Sequence, residues 1–110
     1  MDRRTISRVP SRLRVQFEAN DLKGLALTAD ISPDGCQLHS STPLPPGTKL
    51  RGRILLEGKP AIAFDGEVRW ARHVEWALGQ QYPNSVGVSF AAPPGEGYYQ
   101  HLQARSEDLQ

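Results

Sequence analysis

Two short stretches carry residue types from which binding chemistry can be built. The first is RRTISR at residues 3–8, where Arg3, Arg4 and Arg8 begin a run of positive charge that Arg12 and Arg14 continue and only Asp2 opposes. The second is DISPDG at residues 30–35, which sets the carboxylate of Asp30 and the hydroxyl of Ser32 ahead of a Pro-Asp-Gly turn. Guanidinium groups pair bidentately with phosphate and with the O6/N7 edge of guanine, and their flat faces stack on purines. A carboxylate such as Asp30 accepts from the hydrogens on guanine's opposite edge, Ser32 adds a small hydroxyl, and Gly35 lets a ligand approach the backbone closely. Each stretch alone is ordinary: an arginine arm is more often a solvated tail, and Asp-x-Ser before a turn more often bonds its own backbone. Together they are complementary to a ligand that carries both phosphate and guanine.

Other chemistries find less support. His39, His73 and His101 stand far apart without triad or metal-ligand spacing, so an enzyme and a metal site are both disfavoured. A contact between Ser32 and His39 across a hairpin would lack a third group to orient it, and a solvated histidine is the better reading. The single Cys36 has no partner for a disulfide or a zinc site and reads as core. A formal net charge of +1 argues against a protein that coats DNA or RNA by bulk electrostatics. No apolar run is long enough to span a bilayer, and MDRRTISR lacks the apolar stretch of a signal peptide, so a cytoplasmic protein without membrane insertion is expected.

The elements that must position these residues read as strands. At 110 residues, with 38% hydrophobic residues, nine prolines and ten glycines, the chain suits one turn-rich domain with a sheet core. Leu13, Val15 and Phe17 alternate with polar residues, as a strand with one wet face requires. After NDLKG turns the chain, a second strand is expected with Leu25, Leu27, Ala29 and Ile31 inward and Asp30 and Ser32 outward. SPDG follows as a turn in which Gly35 tolerates positive φ, and Cys36 and Leu38 resume the inward face. Further strands are expected around Leu50 and Ile54, from Ile62 to Trp70 with Gly66 as a site of bending, and over SVGVSF. ALGQQYPN reads as loop, and the tail from residue 96 to 110 as helix. The expected fold is all-β: a small antiparallel barrel of about six strands with a C-terminal helix.

The order Arg4-x-x-x-Arg8, then Asp30-x-Ser32-x-x-Gly35, resembles the double signature of PilZ domains, bacterial receptors for cyclic di-GMP. GEVRW at residues 66–70 and SVGVSF at residues 85–90 are similar to that family's late strands, and the stretch from Val74 to Asn84 is the main departure. The resemblance implies a single domain over residues 1–110, with a flexible ligand-binding arm at residues 1–10, a barrel at 11–91 and the terminal helix. It implies a ligand site of Arg3, Arg4, Arg8, Asp30, Ser32 and Gly35 on the barrel exterior, no other cofactor, and an unidentified protein partner that reads the bound state. Arginine at position 3 goes with a stacked pair of ligands in the family, hence two cyclic di-GMP molecules per chain.

Two alternatives stand beside this reading. A PilZ-like adaptor that binds a protein and no nucleotide keeps the same barrel. A barrel for single-stranded nucleic acid would need a basic groove with exposed aromatics, which two Trp, three Tyr and three Phe, several of them inward by parity, hardly supply. The same parity sends Trp70 inward with Phe64 and Val68, so core packing is favoured for it over ligand stacking. Arg69 and Arg72 are either solvated charges or an extension of the positive surface.

Overall fold

The computed structural model describes residues 8–74 and 82–108. Seven strands run β1 (Val9–Pro10), β2 (Arg14–Ala19), β3 (Leu22–Ser32), β4 (Gly35–Ser40), β5 (Lys49–Leu55), β6 (Ile62–His73) and β7 (Asn84–Phe90), followed by helix α1 (Glu96–Asp108). The sheet order is β1-β3-β2-β5-β6-β7-β4, all antiparallel, and a further pairing of β4 with β3 closes the ring. Strands β2 to β7 therefore form a closed six-stranded barrel, which removes the free sheet edges that would invite aggregation. Strand β1 is an extra strand laid against β3. Its Val9 is buried at 4% exposure, so sheet pairing begins inside the stretch read as arm.

The alternation seen in the sequence survives where strands are regular. In β2, Val15 and Phe17 are buried while Arg14, Gln16 and Glu18 are exposed, and β5 repeats the pattern with Leu50 and Ile54 inside. The β2–β3 hairpin turns on Asn20 and Asp21 alone, with φ of 52° and 67°. These left-handed values match the right-handed strand twist, and Asn and Asp tolerate them best among non-glycine residues.

Strand β3 departs from uniform alternation. Ala26 and Thr28 face the core, whereas Leu25, expected inside, is 52% exposed. The register with β4 shifts between Thr28 and Asp30, and this bulge restarts the alternation so that Ile31 is fully buried. Asp30 and Ser32 thus reach the outer face as expected, but through an irregularity that single-period reading misses. Thr28 is acceptable inside because its hydroxyl is used twice, donating to the Ser11 carbonyl and accepting from the Leu13 N–H at 2.8 Å.

Gly66 is not the site of a bulge: it pairs in register with Leu50 and Phe90, and its missing side chain makes room for Val88. Helix α1 packs Tyr98 and Leu102, each 1% exposed, against the barrel. An edge-to-face series of rings, Phe64–Phe90–Tyr98–Tyr99, joins it to the core with centroid separations of 5.5, 5.1 and 5.5 Å. No described helix is long and apolar enough to cross a membrane.

Candidate functional site

The two sequence stretches meet because β1 lies antiparallel on β3. Val9 pairs with Ile31 and Pro10 with Asp30, which carries the preceding Arg8 alongside the DISPDG segment. The Nη1 group of Arg8 donates to Oδ1 of Asp30 at 2.6 Å, a short charge-assisted bond between residues 22 apart in the chain. Their side chains are 58% and 22% exposed, so the pair is open to a ligand. Arg3 and Arg4 lie outside the described residues.

The turn itself is held from three sides. Ser32 Oγ donates to the Gly35 carbonyl at 3.1 Å, closing the Pro33–Asp34 loop locally, and the Phe90 N–H donates to the Asp34 carbonyl at 2.9 Å. Gly35 does not have positive φ, contrary to the expectation from its turn position. Glycine is needed there because a Cβ would fall well inside the van der Waals radius of the Val88 carbonyl oxygen on β7. The third support was not legible as such in the sequence: Tyr98 of α1 donates its hydroxyl to the Ser32 carbonyl at 2.7 Å and to the Gly35 carbonyl at 3.1 Å. Burial raises the Tyr98 pKa well above its ordinary value, so the group stays a donor at any physiological pH.

Removing that hydroxyl while keeping the ring isolates its contribution. Tyr98→Phe retains the packing on Phe90 and leaves the Ser32 carbonyl short of a partner, at an expected cost of about 1–3 kcal/mol. Denaturant unfolding should show the loss as a lower midpoint with unchanged slope, and an unshifted midpoint would show that the helix does not brace the turn.

Outward positions continue the site across the sheet. Asp30 pairs with Gln37 of β4, Gln37 with Gly87 of β7, and Gly87 with Trp70 of β6, so these residues form one row. Three strand spacings make this row about 14 Å long. Trp70 lies on the outer face, not in the core as its parity suggested. The register between β6 and β7 shifts between Val68 and Trp70, and this second bulge turns the indole out. The ring covers Gly87, where any side chain would collide with it, and Val86 and Val88 on either side point inward. The Arg72 guanidinium sits 5.2 Å from the Trp70 ring centroid, a cation–π contact on the outer face. Arg69 instead donates to Glu67 at 3.3 Å on the exposed face.

The face therefore offers a flat floor at Gln37 and Gly87, an Arg–carboxylate pair at one end and an arginine-stacked indole at the other. Beneath it Cys36 is buried, and burial together with the Asp30 charge pushes its thiol up to about 12, so it is no nucleophile. Among the described residues no three His, Cys, Asp or Glu side chains group where they could hold a metal ion.

Comparison with known proteins agrees with this architecture. The chain resembles a solved structure of the Bacillus subtilis inhibitor of motility (MotI/DgrA) with a TM-score of 0.72 at 19% sequence identity, a likeness of fold. The alignment covers 100% of this chain and 52% of that one, so the chain spans about half the length of this neighbour. A search of curated proteins gives no match. The family model for the PilZ domain matches residues 2–107. A match that runs from the arginine arm through the barrel into the terminal helix, and takes in both signature stretches, leaves one assignment: the chain belongs to the PilZ domain family.

Proposed function

We propose that the protein is a non-catalytic receptor for cyclic di-GMP. Arg4 and Arg8 engage phosphate and guanine, Asp30 holds a guanine edge, Ser32 and Gly35 shape the turn, and Trp70 with Arg72 offers a stacking surface at the far end. The observation that carries this reading is the Arg8–Asp30 bond at 2.6 Å, at the head of an outward row that ends at Trp70. In the free protein these two groups satisfy each other, and a guanine presents a partner to each. Calorimetric titration with cyclic di-GMP, beside GMP and cyclic di-AMP, tests the proposal. Binding of cyclic di-GMP alone is the expected result, and silence toward all three moves the reading to a PilZ adaptor that binds protein only.

Two ligands per chain are expected, and Arg3 is the reason. A stacked pair of cyclic dinucleotides brings four phosphate charges together, and a third guanidinium offsets their repulsion. Arg3→Leu should reduce the saturating stoichiometry from two to one or weaken the second step, with affinity falling as salt rises. Saturation of the wild type at one ligand would remove this role for Arg3 and leave the receptor reading intact.

The bound state is passed on through the arm. Binding draws residues 3–8 onto the phosphates and presents a new surface to a protein partner, at a cost in ordering entropy. Amide hydrogen exchange over residues 3–8 should slow on adding cyclic di-GMP. Protection that is the same with and without ligand would contradict the mechanism.

A further inference from the structure

A second cavity gathers cationic groups away from the Asp30–Trp70 row. It encloses about 350 Å³ where the segment after β1, the barrel wall and the terminal helix meet, and Ser11, Arg12, Thr28, His39 and Arg105 contribute to its lining. Among the described residues two buried side-chain nitrogens have no hydrogen-bond partner, His39 Nδ1 and Arg105 Nε. Both belong to side chains that line this one cavity.

The rest of the polar wall is already used. Thr28 Oγ1 serves Ser11 and Leu13, Ser11 Oγ lies 3.3 Å from His101 Nε2, and Arg105 Nη2 donates to the Pro10 carbonyl at 3.1 Å. What remains is the Arg12 guanidinium, the Arg105 Nε–H and the His39 ring nitrogen. No carboxylate lines the cavity. Burial and the neighbouring Arg12 lower the His39 pKa more than Asp30 raises it, Asp30 being bonded to Arg8, and Asp108 reaches Arg105 Nη1 only at 3.9 Å. With its pKa held below the ordinary value the ring is neutral, and with its proton on Nδ1 the remainder consists of donors alone, suited to an occupant that accepts and carries negative charge. Two guanidinium groups and one imidazole donor, arriving from the segment after β1, from β4 and from α1, suit a tetrahedral oxoanion better than a planar carboxylate.

We infer that the cavity between Arg12, His39 and Arg105 is a binding site for a phosphate-class oxoanion, donated to by Arg105 Nε–H, His39 Nδ1–H and the Arg12 guanidinium. An anion there ties helix α1 to the barrel wall and to the segment that carries Arg8 and β1. It therefore stabilises the fold in proportion to its concentration over its dissociation constant. The phosphoryl group comes either from a nucleotide extending off the neighbouring sheet face or from a separate phosphate ester. The inference does not rest on the cyclic di-GMP reading, since the unpartnered nitrogens are present whichever nucleotide, if any, binds at Asp30.

The test is a titration of the full ¹⁵N-labelled chain with inorganic phosphate, with sodium chloride at matched ionic strength as control, following the Arg105 Nε–H and His39 ring signals. Phosphate should move both, and chloride neither. Arg12→Gln, whose side chain is exposed and has no described structural partner, and His39→Gln should each weaken phosphate binding about tenfold, as expected for one charge-assisted contact. Absent shifts, equal shifts with chloride, or unchanged affinity in both variants would overturn the site. Repeating the titration with saturating cyclic di-GMP separates the sources. Competition identifies the nucleotide's own phosphodiester as the occupant, and simultaneous binding identifies a separate phosphate ester. Failure of cyclic di-GMP to bind at all would sink the receptor reading while the phosphate result stood on its own.

Discussion

Asp30→Ala and Arg8→Ala should each lower cyclic di-GMP affinity by roughly ten- to hundredfold, since one bidentate base contact is worth about 1–3 kcal/mol of discrimination. Asp30→Ala should in addition narrow the preference for guanine over adenine analogues, because only the carboxylate accepts from guanine's N1 and N2 hydrogens. Stability should barely change. The bond is short, but Arg8 is more than half exposed and the pair is screened, so its loss costs about 0–1 kcal/mol. Calorimetry for binding and thermal unfolding for stability make the separation. Two variants that bind like the wild type would show that the Arg8–Asp30 pair is a structural surface ion pair with no part in recognition.

Gly35→Ala should cause a large loss of stability, comparable to or greater than that of Tyr98→Phe. The added Cβ would press on the backbone carbonyl of Val88, which no side-chain rotation can move, so β4 and β7 must separate. Forced overpacking of this kind costs about 1–3 kcal/mol, a fall in the thermal midpoint on the order of 10 °C for a domain of this size. Separation of the strands also shifts the Gly35 carbonyl, the shared acceptor of Ser32 Oγ and the Tyr98 hydroxyl, so ligand affinity should fall with stability. Gly95→Ala is the control without a collision: it has open space where its Cβ would stand and no positive φ, and, as the residue that caps the start of α1, it should cost less than about 1 kcal/mol. A Gly35→Ala midpoint equal to that of Gly95→Ala would show that the strands can yield at little cost.

The charge of the two signature stretches, the turn chemistry of SPDG and the period-two alternation of β2 and β5 are local properties, and the sequence alone determined them. A residue's side-chain type, its preferred turn and its alternation with immediate neighbours need no knowledge of the rest of the chain. These were enough for an antiparallel barrel with a terminal helix, whereas the outward placement of Asp30 and Ser32, although expected, depends on a bulge that they do not encode. Only the tertiary structure decided where alternation breaks. The shifts at Thr28/Asp30 and Val68/Trp70 are set by registering each strand against two neighbours in a closed barrel, and nothing in LTADIS or VRWAR marks the extra residue. That is why Leu25 turned out exposed, and why Trp70 moved from the expected core to the face it shares with Asp30. The same holds for contacts made across long stretches of chain. Gly35 is required by a strand more than fifty residues later, the turn is braced by Tyr98 from the helix, and Arg12, His39 and Arg105 converge only once the helix has docked. Side-chain identity was legible in every case, but the partner was not, because closure of the barrel and docking of the helix choose it.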